Sequence, residues 1–243
     1  MKIFITGASS GLGAELARQY ATPDNELILL ARREEKLYAL RKELYEQCKN
    51  IDIIVADVTD FPNLQNKIKA IENIDLVILN AGISLGHSLG IATIKEMQNL
   101  YDVNVLSNHA ILEILLPKML QKCEGHIVFI SSLASLISMP SSKVYSSSKR
   151  ALNAYAEGIA YKYKNYGINV TLVLPGFIKS ELTDKNEFDM PFLLETEDGV
   201  KQIKKAISKR KKFYAFPLRF YLIIKLLNLL PNFLREKIVN SIN

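Results

Sequence analysis

Six short apolar runs, separated by longer amphipathic stretches, set the terms on which this 243-residue chain can fold. The runs are KIFITG (2–7), ELILLA (26–31), IDIIVAD (51–57), DLVILN (75–80), HIVFIS (126–131) and NVTLVLP (169–175). Each is rich in Ile, Val and Leu and ends on a turn or polar residue, without clean alternation. Such runs suit strands buried on both faces. Helical patterns fill the gaps at 11–21, 34–48, 62–72, about 93–122 and 145–165. Strand alternating with helix predicts βαβ units with right-handed crossovers. The expected class is α/β: a Rossmann-like, doubly wound parallel sheet with helices on both faces. No linker, repeat or low-complexity stretch interrupts it, so residues 1–243 are expected to form one domain. In such sheets ligands bind at the carboxyl ends of the strands, where strand order reverses.

The first strand runs into TGASSGLG (6–13), which opens the first helix. Gly7, Gly11 and Gly13 permit a tight turn, close approach of backbone to phosphate and close helix–strand packing. Ser9, Ser10 and Leu12 complete that cradle. The spacing is GxxxGxG, a departure from GxGxxG, and its position between strand and helix carries the signal. About 20 residues on, where an acid would bind the adenosine ribose, stand Ala31, Arg32 and Arg33. A missing carboxylate and two guanidinium forks favour a phosphorylated ribose, hence NADP(H) over NAD(H), with Arg32 as the chosen phosphate contact. Asp57 closes the third strand beside Val58, where its carboxylate can accept from an adenine amino group or cap a turn. LNAG (79–82) closes the fourth, setting Asn80, Ala81 and Gly82 against the cofactor.

Four Tyr-x-x-x-Lys pairs occur, at 38/42, 45/49, 145/149 and 221/225. Only Tyr145 and Lys149 open a helix shortly after a serine-ended strand. Hydride transfer to a carbonyl leaves negative charge on oxygen and needs a proton nearby. A tyrosine near pKa 10 must be shifted by about three units to act at neutral pH, roughly 4 kcal/mol. A lysine one helical turn away supplies a cation on the same face.

TGASSGLG, NAG, VNV (103–105), ISS (130–132), YSSSK (145–149) and PG (175–176) occur in this order. The series resembles the motifs of the classical short-chain dehydrogenase/reductase (SDR) family over roughly residues 1–180. The resemblance implies Tyr145 as proton donor/acceptor, Lys149 as its partner, Ser132 as the substrate-oxygen binder and Asn104 as anchor of a proton relay. Ser132 is chosen over Ser131 on the family's spacing, and Asn104 has an ordinary buried polar role as its alternative. Pro175, Gly176 and Ile178 would meet the nicotinamide carboxamide side, and Ser180 stands where the family often has threonine. The implied activity is NADP(H)-dependent interconversion of a carbonyl and a secondary alcohol. Rival readings are an epimerase or dehydratase on the same scaffold and a non-enzymatic NADP(H)-binding sensor.

The rest of the chain sets limits and leaves one question. Cys48 and Cys123 form no CxxC, and His87, His109 and His126 lack ligand-spaced partners, so free thiols, a cytoplasmic protein and no metal are expected. Net charge is +6, but KQIKKAISKRKK (201–212) holds seven basic residues and no acid. That run reads as a solvated helix face able to favour anionic surfaces, and without aromatic interleaving it does not indicate nucleic acid. Residues 177–200 occupy the substrate-loop position, where Phe188, Met190, Phe192 and Leu193 suit an apolar substrate or, equally, core packing. KFYAFP (212–217) reads as a final strand before an apolar extension within 213–243 that departs from the family ending. Lys225, Asn228, Asn232 and Arg235 form one polar stripe on it if it is helical, and Pro231 marks a kink or restart. No 18-residue uncharged run exists to span a membrane. The extension walls the substrate pocket, lies on the inner membrane face, or joins subunits of a homodimer or larger homo-oligomer.

Overall fold

A computed structural model describes residues 1–86, 90–184 and 189–241. His87 and Phe188, singled out above, lie outside these. The elements run β1 (Lys2–Thr6), α1 (Gly11–Tyr20), β2 (Glu26–Ala31), α2 (Glu34–Leu44), β3 (Asn50–Val55), α3 (Phe61–Ile68) and β4 (Leu76–Leu79). Then come α4 (Ile94–Tyr101), α5 (Ser107–Lys122), β5 (Gly125–Ile130), α6 (Lys143–Tyr163), β6 (Ile168–Pro175), α7 (Thr196–Ser208), β7 (Phe213–Phe216), α8 (Leu218–Leu229) and α9 (Asn232–Ser241).

All strand pairings are parallel, in the order β3-β2-β1-β4-β5-β6-β7. Order reverses between β1 and β4, so the crevice at their carboxyl ends is where a ligand belongs. The continuous apolar runs are explained by burial: Phe4, Ile28, Val77, Ile127 and Leu172 face one core, and Ile3, Leu27, Ile78, Val128 and Val173 the other. Helices α3, α5 and α6 cover the first face and α1, α2 and α7 the second. Two helix starts are sealed locally. Asp60 accepts from the Asn63 amide at α3, and Thr93 and Glu96 form a capping box at α4.

Two expectations change, and one about the extension holds. The helix expected over 93–122 is broken by a π-helical turn, Asp102–Leu106, between α4 and α5. The extra residue in that turn rotates Asn104 inward, where it is fully buried. The substrate loop ends earlier than residue 200, because α7 starts at Thr196 and turns Val200, Ile203 and Ile207 into the core while its lysines stay in water. The extension is helical and restarts after Pro231, as the gap between α8 and α9 records.

Candidate active site

The glycine turn departs from β1 and delivers the first turn of α1 to the crevice. Gly7 has φ +66°, which side-chained residues rarely adopt. A Cβ on Gly13 would stand 2.2 Å from the Gly7 carbonyl oxygen, so glycine there lets α1 press onto the turn. Behind it, Asn80 donates to the Thr6 carbonyl (2.9 Å), and the Thr6 hydroxyl accepts from the Asn80 and Ala81 amides (both 2.9 Å). Asn80 thereby ties β4 to β1 at the point of strand reversal.

A cleft of about 380 Å³ opens along these carboxyl ends. It is lined by Gly7, Ser9, Ser10, Gly11, Leu12, Arg32, Arg33, Val58, Asn80, Ala81, Gly82, Tyr145, Lys149 and Ser180 from the sequence reading. Ile83, Ser84, Glu181 and Leu182 join them unpredicted. The expected residues Gly13, Asp57, Asn104, Ser132, Pro175, Gly176 and Ile178 are not among the lining side chains. Gly13 lies under the turn. Pro175 and Gly176 pair with Phe216, the Gly176 amide donating to its carbonyl at 2.7 Å. Ile178 is buried against Gly199.

At the ribose end, the two arginines divide. Arg32 is largely exposed and, among the described residues, pairs with the Asp57 carboxylate at 3.4 Å. Asp57 otherwise accepts from the Thr59 amide (2.9 Å) and hydroxyl (2.8 Å), a turn cap of the kind left open above. Arg33 instead lies over the glycine turn, donating to the Ser9 and Ser10 hydroxyls. The residue seated on the turn is therefore Arg33, while Arg32, the chosen phosphate contact, stands beside Asp57. Glu181 crosses from the segment after β6 to meet Arg33 and the Lys36 ammonium, both at 2.6 Å. These two cations hold its carboxyl at about 2. Neither Lys36 nor Glu181 carries a sequence signal for this role.

At the opposite end, the Tyr145 phenol lies beside the Ser132 side chain, which acts to lower its pKa. Ser132 also accepts from the Ala134 amide at 3.1 Å, which fixes its rotamer. Its neighbour Ser131 is buried and spent on Asn153 Oδ1 (2.5 Å) and the Lys149 carbonyl (3.2 Å). Lys149 is 4% exposed, and its ammonium donates to the Ile130 carbonyl at 3.0 Å and stands 5.9 Å from the Tyr145 ring centre. Burial lowers Lys149 to about 8 and raises the Tyr145 phenol above its usual value, outweighing the opposing influence of Ser132. The downward pull expected of Lys149 on Tyr145 is absent, and desolvation sets the direction. Asn104 bridges to Ile83, accepting from its amide (2.8 Å) and donating to its carbonyl (3.0 Å), and also donates to Ser148 (3.1 Å). A Cβ on Gly82 would come within 3.3 Å of Lys149 Nζ and 3.4 Å of Asn104 Oδ1, so the floor there is kept free of side chain.

The fit to a dinucleotide rests on this cradle: open backbone at a helix start, small residues beneath, and cations at one end. His109 and His126 are instead bonded to the Tyr155 and Thr171 hydroxyls, each at 2.8 Å. Among the described residues no group of three or more His, Cys, Asp or Glu gathers.

Known proteins with this arrangement fall in one class. The family model for short chain dehydrogenases matches residues 1–190. An uncharacterized oxidoreductase of Myxococcus xanthus is 34% identical over 232 residues, covering 94% of this chain and 92% of that protein. One of Mycobacterium tuberculosis is 35% identical over 226 residues, covering 89% and 88%. The solved short-chain dehydrogenase from Sphingobium yanoikuyae in complex with NADPH has a TM-score of 0.83 at 24% identity, covering 95% of this chain and 96% of that one. One from Burkholderia phymatum in complex with NAD has 0.82 at 23%, covering 93% and 92%. At those identities the structures speak for the fold alone. The chain belongs to the short-chain dehydrogenase family, oxidoreductases whose fold takes a nicotinamide dinucleotide.

Proposed function

We propose that the protein reduces a carbonyl group on an apolar small molecule to a secondary alcohol, with NADP(H) as its cofactor. The reading is carried by Tyr145 standing beside Ser132 and the buried Lys149, at the far end of a glycine-lined cleft. A bound nicotinamide supplies the hydride. Ser132 holds the substrate oxygen, and Tyr145 gives it the phenolic proton. A phenol kept protonated by burial suits donation, which is the reductive direction. Lys149 orients the pair and supplies positive charge when the phenolate forms. Arg33, rather than Arg32, takes the role of ribose-phosphate contact, assisted by the Ser9 and Ser10 hydroxyls.

An apolar substrate is suggested by an aromatic cluster at the end of β6, where Phe220 lies against Gly176. Phe220 of α8 stacks on Phe177 and packs on Phe192, with ring centres 5.8 Å apart in each case. The inner face of the extension therefore supports the pocket-wall reading. Subunit assembly into a homo-oligomer belongs to the same proposal.

The test is a fluorescence titration with NADPH and NADH, followed by NADPH oxidation over a panel of apolar ketones and aldehydes. Tighter binding of NADPH, weakened at least tenfold by Arg33→Ala, is the expected result. Tyr145→Phe should keep cofactor affinity and lose turnover by a factor of about a hundred or more. Equal affinity for both cofactors removes the phosphate reading, and retained turnover removes the proton-donor reading.

A further inference from the structure

The extension is amphipathic in the wrong sense for a helix that only packs on its own protein. Asn228 on α8 points inward and donates to the Leu136 carbonyl at 2.7 Å, and Asn232 and Arg235, bonded to each other at 2.8 Å, line the rim of a cavity of about 410 Å³. Ile224 and Val239 are the buried residues of the two helices. The outer face carries Leu222, Leu226, Leu229 and Phe233, exposed by 49, 64, 81 and 69%. Leu222, Leu226 and Leu229 recur at three- and four-residue spacing and so make one apolar stripe along α8, with Phe233 exposed at the start of α9 beyond the break at Leu230. Single exposed leucines are ordinary, but a contiguous stripe of this length is a contact surface.

Charge selects the occupant. Eleven of the 31 basic residues and one of the 25 acidic residues lie after position 200, so the last 43 residues carry +10 and the first 200 carry −4. Arg219, Lys225 and Lys237 flank the stripe in sequence. The ring contact between Phe213 and Tyr221 (5.9 Å) brings the start of β7, just after Lys211 and Lys212, alongside α8. A second copy meeting this face about a two-fold axis would set like charge against like charge. An anionic bilayer meets apolar residues with hydrocarbon and cations with phosphate. No described helix is long and apolar enough to cross a membrane, so contact is from one side.

We infer that the outer face of α8 and α9 docks this protein on anionic phospholipid bilayers. The proposal is independent of the cofactor assignment. Full-length protein is sedimented with vesicles of phosphatidylcholine alone and of phosphatidylcholine with phosphatidylglycerol. Binding to the anionic vesicles should exceed binding to the neutral ones roughly tenfold or more at low salt and fall as salt rises. Leu226→Asp with Leu229→Asp should reduce it at least about tenfold while circular dichroism and cofactor titration stay unchanged, since both positions face water. Lys211→Ser with Lys212→Ser, which leaves the apolar stripe intact, should weaken binding to the anionic vesicles alone. The inference is overturned by no sedimentation with either vesicle or by equal binding to both. It is also overturned by a dimer in analytical ultracentrifugation that the leucine variant converts to monomer without vesicle binding in either form.

Discussion

Glu181→Gln is the perturbation that most directly tests how the ribose end is built. The wild-type carboxylate sits 2.6 Å from both the Arg33 guanidinium and the Lys36 ammonium. On the proposed reading, a phosphate on the adenosine ribose would draw on the same two cations, and Glu181 would compete for them. The ion pairs are about half exposed on every partner, and water and salt screen each to about 0.5 kcal/mol. Releasing both therefore gains about 1 kcal/mol, or roughly fivefold, for any ligand that carries the phosphate. NADPH should bind Glu181→Gln roughly fivefold more tightly and NADH should change by less than about twofold, with the difference shrinking as salt rises.

The sign of the pH dependence gives a second check. The cations depress the Glu181 carboxyl to about 2, so its contribution to stability is present above its ordinary value of 4.5. That contribution is lost only as pH falls from there toward 2. From about pH 5 to 8 the carboxylate stays charged, and the ratio of NADPH affinities between variant and wild type should hold constant. The assay is intrinsic-fluorescence quenching at two ionic strengths. Equal tightening toward NADH, or none toward NADPH when NADPH is the preferred cofactor, refutes the competition.

Two further substitutions test the chemistry of burial. Lys149 is nearly inaccessible and lowered to about 8, so the unfolded chain binds its proton more tightly than the folded one. Stability should therefore rise with pH between about 8 and 10.5, and Lys149→Met should add about 1–3 kcal/mol at pH 7 while abolishing turnover. Urea denaturation at pH 7 and 9 checks this, and a destabilised variant counts against the reading. Gly13→Ala places a methyl group 2.2 Å from the Gly7 carbonyl oxygen. Because neither backbone segment can give way, the expected outcome is a loss of at least about 2 kcal/mol and of cofactor binding. Thermal unfolding with and without NADPH reads both.

How far the sequence discloses this molecule depends on whether a feature is local. The strands were legible because each is covered by helices on both faces, and an unbroken run such as Leu27–Ala31 admits few other environments. Helix α7 left a signal too, Val200, Ile203 and Ile207 at helical spacing, but the lysines between them drew the eye to charge. The π-helical turn was invisible, since a one-residue shift in hydrogen bonding leaves VNV unchanged as a pattern. At the site, the motif residues could be listed, but Arg32 and Arg33 are adjacent on the chain and face different partners. Their division depends on Asp57 drawing one guanidinium and the Ser9 and Ser10 hydroxyls the other. Glu181 meets those cations across some 145 residues, beyond any local rule.

The extension shows the limit most plainly. Its stripe at 225, 228, 232 and 235 was readable as a stripe, and the ordinary rule would turn such polar residues to water. The Leu136 carbonyl takes up Asn228 on the inside instead, while Lys225 and Asn232 stay exposed and Arg235 bonds Asn232. Periodicity tells which residues share a face. Which face turns inward is decided by the neighbour's chemistry, and here that leaves leucines outward beside an excess of cations.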